Sequence, residues 1–169
     1  MDLQLKNVKF SEHMSEETNA FTSDVYFRGQ KVGYAKNDGH GGCTNVMSYG
    51  LEKIEQFNEA VVYCKTLPKI DLSMDGDKPY LIDSNLENQV DNLFEAWLIK
   101  KEITRKSNKG IYYLSTDGNH YLNSWKGFTI AKLKTTPKGK EVIQLAVSRI
   151  ILKGGIILNT NLKGFRIKL

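Results

Sequence analysis

Chemically reactive side chains are concentrated in one short segment, residues 37–45. In chain order the segment reads Asn37, Asp38, Gly39, His40, Gly41, Gly42, Cys43, Thr44 and Asn45. Glycines allow positive φ, so that successive backbone amides can converge on an anion. The pattern predicts a loop that binds an anionic ligand. The alternative is an ordinary turn, because Asn-Asp-Gly and Gly-Gly are common loop sequences.

The same segment holds candidates for catalysis. His40 lies close in sequence to Asp38 and Cys43, which offers a base, an acid and a nucleophile for a hydrolase. Residues so close together on a glycine-rich loop seldom form a preorganised triad, and no partner motif is recognisable elsewhere. We therefore expect a non-catalytic protein and keep a small hydrolase as the less favoured alternative.

Neither a metal nor a cofactor is expected. The two cysteines, Cys43 and Cys64, are too few for a zinc quartet or a disulfide framework. The run from Asp71 to Asp77 imitates the start of a calcium loop, but Ile82 occupies the twelfth position, where a bidentate Glu belongs. A calcium site is therefore not predicted.

Charge is distributed unevenly along the chain. Residues 1–100 hold 10 Lys and Arg against 16 Asp and Glu, whereas residues 101–169 hold 14 against three. The basic part also holds aromatic side chains among lysines, an arrangement suited to stacking a base in a positive groove: Tyr112, Tyr113, Tyr121 and Trp125 beside Lys126, Lys132 and Lys134. The alternative is that these aromatics fill a sheet face. Sequence-specific DNA binding is not favoured, because the strongest predicted helix is acidic at its start and the third is too apolar.

The periodicity of apolar residues predicts the elements that position these side chains. Strands are predicted near residues 3–10 with a break at Asn7, and at 21–27, 32–34, 111–114, 120–122, 128–133, 156–158 and 165–169. Helices are predicted at 50–65, at 85–105 after a Ser84–Glu87 capping box, and at 140–153, where a strand is the alternative. The fold class is therefore α+β: an antiparallel sheet built from hairpins with two or three helices packed on it, in a single domain of residues 1–169.

The cellular setting is predicted from what the sequence lacks. It has no charged and apolar leader, and no run reaches the roughly 18 apolar residues of a membrane span. Two unpatterned cysteines fit a reducing compartment. We expect a soluble cytoplasmic protein without a membrane partner.

A resemblance covers the first quarter of the chain. It is carried by Ser15-Glu16-Glu17-Thr18, Phe21, Val25-Tyr26-Phe27, Gly29 and the run from Asn37 to Gly42. Together these residues resemble an N-terminal pattern that recurs in small proteins of bacteriophages and prophages, a group with no assigned activity. The resemblance implies a mobile-element origin and, for a phage-encoded protein, the cytosol of the host cell.

The residue patterns favour a binding protein, and the resemblance implies that it is of phage type and acts against host defence. The expected ligand is an anionic, nucleotide-like molecule: the loop amides and His40 would hold phosphate, Asn37 and Asn45 would recognise polar edges, and Tyr113 or Trp125 would stack on the base. The alternative is a protein inhibitor that docks on a nucleic-acid-binding host defence complex. The sequence leaves open whether the chain forms a homo-oligomer.

Overall fold

The computed structural model describes residues 2–71, 73 and 78–165. The chain divides into two compact units, residues 1–96 and residues 97–169. The predicted α+β class is confirmed, since antiparallel sheets combine with four α-helices in the described part of the chain. The assignment of all residues to a single domain stays a prediction.

The N-terminal unit is built on an antiparallel meander whose strands follow one another in chain order. The hairpin between its second and third strands turns at Arg28 and Gly29, whose φ values are 48° and 82°. Two consecutive positive φ values give the turn the twist that neighbouring strands require. The strands are β1 (Leu3–Ser11), β2 (Ala20–Phe27), β3 (Gln30–Asn37) and β4 (Asn45–Ser48).

The predicted break at Asn7 is confirmed as a bulge. The β1–β2 register shifts between Lys6 and Lys9, and Asn7 has a φ of 51°. Asn tolerates this left-handed conformation better than most residues, and its side-chain amide donates to Asp24 at 2.7 Å. That hydrogen bond is the largest cause lowering the pKa of the Asp24 carboxyl.

The first predicted helix is confirmed with a later start. A 3₁₀ turn over Leu51–Lys53 precedes α1 (Ile54–Lys65), which buries Ala60 and Cys64. Two short strands follow, β5 (Ile70–Asp71) and β6 (Leu81–Ile82), paired antiparallel. The rejected calcium-like segment falls mainly on residues 72 and 74–77, which lie outside the described residues.

The long predicted helix is confirmed as α2 (Leu86–Lys109), which begins in the N-terminal unit and ends in the C-terminal one. Its predicted capping box is wrong by one residue. The Asn85 side chain, not that of Ser84, accepts the Asn88 amide, at 2.7 Å. Ser84 is buried and its hydroxyl instead accepts a hydrogen bond from the side chain of Gln89, so it is not available as the cap.

In the C-terminal unit three antiparallel strands stand in the order β8-β7-β9. They are β7 (Gly110–Leu114), β8 (His120–Ser124) and β9 (Ile156–Ile157), accompanied by α3 (Ile130–Lys134) and α4 (Pro137–Leu152). The helix predicted at 140–153 is confirmed as α4, capped by the Thr136 hydroxyl on the Gly139 amide. Most of the strand predicted at 165–169 lies outside the described residues.

The strand predicted at 128–133 is wrong. Ile130 and Leu133, which are three residues apart, are both buried on one side of α3, as the helical repeat requires. The Thr129 side chain caps the helix by accepting the Lys132 amide at 3.2 Å. Ile130 and Leu133 belong to the core of this unit with Ile111, Ile143, Val147, Ile150 and Leu162.

Two asparagines hold the end of α2, and we call them the asparagine clasp: Asn159 and Asn161. The Asn159 side chain accepts the Tyr112 amide at 2.7 Å and donates to the carbonyls of Gly110 at 3.0 Å and Ser107 at 3.2 Å. Asn161 donates to the same Ser107 carbonyl at 3.0 Å. The last carbonyls of a helix lack intrahelical partners, so the clasp satisfies one of them.

No helix in the described ranges combines the length and the apolar character that crossing a membrane requires.

Candidate functional site

The glycine-rich segment connects β3 to β4, so a strand, not a helix, follows it. Its conformation is set by the segment that follows β1. The Gly39 carbonyl accepts three backbone amides, from Glu16 at 3.0 Å, Glu17 at 3.0 Å and Thr18 at 3.2 Å. The loop is therefore a docked part of the N-terminal unit.

Two loop amides expected to hold phosphate already have acceptors within the N-terminal unit. The Gly39 amide donates to the Asn37 side chain at 2.9 Å, and the Gly41 amide donates to the Thr18 hydroxyl at 3.3 Å. The Asn37 side chain also donates to the Gly42 carbonyl at 3.1 Å and to the Thr44 hydroxyl at 3.2 Å. In these hydrogen bonds, the Asn37 side chain holds the backbone and side chains of the loop in position.

The His40 and Asp38 side chains of the loop contact polar side chains just outside it. His40 Nδ1 lies 3.1 Å from Glu16 Oε2, and Asp38 lies 2.6 Å from the Lys36 ammonium. Across the described residues, no hydrogen bond joins His40, Asp38 and Cys43 to one another. These distances supply no argument for the hydrolase alternative.

A cavity of about 320 Å³ beside the loop is acidic. Glu17, Asp91 and Glu95 line it together with the stacked rings of Phe21 and Phe94, whose centroids are 3.9 Å apart. Burial raises the pKa of the Asp91 carboxyl, although the hydroxyl of Thr44 donates to it and opposes that rise. Carboxylates here make the local potential unfavourable to a phosphate.

A larger cleft, of about 670 Å³, lies in the C-terminal unit, and we call it the aromatic cleft. Its sheet wall is formed by Tyr113 in β7, by Ser115 and Asp117 after β7, by Tyr121 and Asn123 in β8, and by Trp125 after β8. Its helix wall comes from α4 and the residue after it: Val142, Leu145, Ala146, Arg149, Ile150 and Lys153, with Gly155 beyond.

The alternation of side chains along β8 and the helical repeat of α4 bring the cleft residues to facing walls. Tyr121 and Asn123 share one face of β8 because strand side chains alternate, and Tyr113 stands directly opposite Tyr121 in the register. The Tyr113 and Tyr121 rings are stacked, with centroids 5.8 Å apart and planes inclined by 27°. On α4, Arg149 follows Ala146 by three residues and Leu145 by four, which places them on one helix face.

Hydrogen bonds hold the aromatic wall in position. The Tyr121 hydroxyl donates to Asp117 at 2.9 Å, and the Asn119 amide donates to the same carboxylate at 2.9 Å. The Asn119 amide is the largest cause of a lowered Asp117 pKa, and the Tyr121 hydroxyl adds to it. The bond to Asp117 in turn raises the pKa of Tyr121, which keeps its hydroxyl protonated.

Positive charge at the opposite wall is not neutralised. Arg149 and Lys153 are exposed, and no carboxylate in the described part of the chain forms an ion pair with either. The C-terminal unit as a whole, residues 97–169, holds 15 Lys and Arg against three Asp and Glu. The cleft therefore combines stacking surfaces with a local excess of positive charge.

The residues singled out in the sequence fall into separate places. Tyr113 and Trp125 line the aromatic cleft, whereas Lys132 and Lys134 do not: Lys132 lies over the Phe128 ring and Lys134 donates to the Asn161 carbonyl. The loop residues Asn37, Asp38, Gly39, His40, Gly41, Gly42, Thr44 and Asn45 belong to the N-terminal unit.

Tyr121 was among the stacking candidates, but three other cleft residues were not: Asn123, Arg149 and Lys153. A signal for the last two existed, since they are spaced by four residues at the end of a helix that is otherwise apolar on its buried side. Within the described ranges, no group of three His, Cys, Asp or Glu residues is arranged so that it could hold a metal ion.

Comparison with known proteins gives no match to a protein-family model, to a curated protein or to a solved structure.

Proposed function

We propose that the protein is a non-catalytic binding protein that holds an anionic, nucleotide-like ligand in the aromatic cleft. The base would stack against Tyr121 or Trp125, and the phosphate would lie against Arg149 and Lys153. The observation that carries this proposal is the lining of one cleft of about 670 Å³, which combines the exposed ring of Tyr121 and the half-buried ring of Trp125 with two cations. These cations, Arg149 and Lys153, have no ion pair in the described part of the chain. The volume is in the range of small-molecule sites.

The aromatic cleft suits such a ligand better than the glycine loop does. An anion at the loop would meet the carboxylates of Glu16 and Glu17, and two of its amides already have acceptors. In the cleft, Arg149 offers a planar fork of donors that matches a phosphate. The side-chain amide of Asn123, on the sheet wall, has both a hydrogen-bond donor and an acceptor, and recognition of a base edge requires both.

The test is isothermal titration calorimetry of the full chain with a panel of linear and cyclic mononucleotides. Arg149→Ala should weaken binding about tenfold or more, because a charge-assisted hydrogen bond contributes roughly 1.5–3 kcal/mol. Tyr121→Ala should weaken it by a similar factor through lost stacking. Lys140→Ala removes the same charge from the other side of α4 and is the matched control.

The variant His40→Ala distinguishes the two locations. We expect it to leave the affinity unchanged if the ligand occupies the aromatic cleft and to abolish binding if the loop holds the phosphate. An absence of heat with every nucleotide at millimolar concentration would refute the proposal for both locations.

The biological role we propose is interference with host defence by a phage-encoded protein, which rests on the resemblance at the N-terminus. A second candidate, an inhibitor that docks on a nucleic-acid-binding host protein, is supported by the acidity of residues 1–96, which hold nine Lys and Arg against 16 Asp and Glu. For that role, charge reversals on acidic residues of the N-terminal unit should reduce capture of the host protein while nucleotide binding persists.

A further inference from the structure

Arg149 and Lys153 of the aromatic cleft share one side of α4 with Lys138, which lies outside the cleft lining, and we call these three residues the basic row. From this row we infer that the ligand is a segment of single-stranded nucleic acid, with one base in the cleft and its backbone along the helix. This inference rests on the proposed function, because it names the class of nucleotide ligand that the same cleft takes.

The basic row follows from the helical repeat. At about 100° per residue, Lys138, Arg149 and Lys153 point within about 60° of one another, on the face that also carries Leu145 and Ala146. The 15-residue separation of Lys138 and Lys153 corresponds to about 22 Å along the axis. Lys140 points to the other side of the helix and does not belong to the row.

The length of the row argues against a mononucleotide. One phosphate can meet Arg149 and Lys153, which lie one helical turn apart, but it cannot also reach Lys138 at the start of α4. All three side chains are exposed, and no ion pair within the described ranges involves any of them. A chain of several phosphates is the ligand that would use the whole row.

The surface beside the row suits unpaired bases. Leu145 is 52% exposed and Tyr121 is 44% exposed, so apolar and aromatic surface faces the cleft from both walls. A positive groove that follows the backbone, combined with aromatic side chains on which bases stack, is the usual arrangement for single strands. In a duplex the base faces are already covered by their neighbours, so a duplex could use the cations but not the stacking surfaces.

The experiment is fluorescence anisotropy of the full chain with labelled ten-nucleotide DNA and RNA strands, alongside calorimetry with mononucleotides. We expect the single strands to bind at least tenfold more tightly than a mononucleotide and than a duplex of the same sequence. Lys138→Ala should weaken strand binding several-fold and reduce the salt slope by about 0.7, the value for one phosphate contact. It should leave mononucleotide binding unchanged.

The matched control is Lys140→Ala, which removes an identical charge two residues away and should have little effect on either ligand. If Lys138→Ala and Lys140→Ala weakened strand binding equally, the inference that the nucleic-acid backbone lies along the basic row of α4 would be overturned. Mononucleotides that bind as tightly as the strands, with both sensitive to Arg149→Ala, would overturn the inference while the proposed function stands. A duplex that binds as tightly as the strands would overturn it too, and the absence of all binding would refute both.

Discussion

Substituting Gly39 with alanine should destabilise the N-terminal unit, because this glycine has no room for a Cβ atom. Its φ is 90°, and an added Cβ would lie 2.1 Å from the Met14 carbonyl oxygen and 2.9 Å from the Ala20 Cβ. The neighbouring atoms belong to the backbone and to a short buried side chain, so neither can move aside cheaply. The same glycine carries the carbonyl that accepts the amides of residues 16–18.

Two effects contribute to the loss of stability: the positive φ of residue 39 and the lack of space for its Cβ atom. A left-handed conformation costs a residue with a Cβ about 1–2 kcal/mol, and overpacking costs about 1–3 kcal/mol. We therefore expect Gly39→Ala to reduce the free energy of unfolding by about 2–5 kcal/mol. With a urea dependence of about 2 kcal/mol/M, the midpoint falls by roughly 1–2.5 M.

The assay is urea denaturation combined with native-state hydrogen exchange at the Thr18 amide, which donates to the Gly39 carbonyl at 3.2 Å. Gly42→Ala is the matched control, because no heavy atom lies within 4 Å of the position its Cβ would take. The control should change stability by less than about 0.5 kcal/mol. Equal midpoints for the two variants, with Thr18 exchange unchanged, would refute the argument that the loop is docked through Gly39.

Three further predictions concern other parts of the chain. Asn159→Ala should cost about 2–4 kcal/mol, because it leaves the buried Tyr112 amide without its acceptor, and exchange at that amide reports it. Iodoacetamide at about pH 8 should modify exposed Cys43 in the native protein but spare Cys64, whose pKa burial raises to about 11, and mass spectrometry counts the adducts. Burial raises the pKa of Asp91 in the folded protein above 3.8. The free energy of unfolding therefore falls as the pH rises from 3.8 through this raised pKa and Asp91 ionises. Asp91→Asn should raise the urea midpoint near pH 7 more than near pH 4.

Each of these has its own control and contrary outcome. Asn58→Ala, on the exposed side of α1, should change stability by less than about 0.5 kcal/mol, and an Asn159→Ala variant equally mild would contradict the role given to the clasp. Two cysteine adducts formed at one rate would contradict the burial of Cys64. Glu55→Gln removes an exposed carboxylate from α1 and should not reproduce the pH-dependent gain of Asp91→Asn.

Local sequence patterns were sufficient for most of the secondary structure. The alternation of Phe21, Val25 and Phe27 predicts β2, and the helical spacing of Leu86, Val90 and Phe94 predicts α2, because burial of one face determines both. The pattern failed at Ile130 and Leu133. Side chains three residues apart share a face in a helix but not in a strand, and the cap at Thr129 marks where the short helix begins.

Fewer residues of the candidate site could be predicted from the sequence. Tyr113 and Trp125 were singled out by residue type, but Arg149 and Lys153 come from α4, and only the fold brings them to the same cleft. The glycine loop shows the opposite problem. Its glycines predicted free amides, whereas the Asn37 side chain accepts the Gly39 amide and the Thr18 hydroxyl accepts the Gly41 amide. The second of these acceptors depends on a contact with residues 15–18 that no local pattern encodes.

The asparagine clasp has a consequence for how the chain folds during synthesis. Asn159 and Asn161 bind groups that precede them by 47–54 residues, so the closing of a long loop must come before the end of α2 is secured. A ribosome has therefore translated the chain beyond Asn159 before the Ser107 carbonyl and the Tyr112 amide can meet their partners. Until then, the C-terminal unit emerges as an incomplete intermediate, and the interval before residue 161 leaves the ribosome is when chaperones and proteases have access to it.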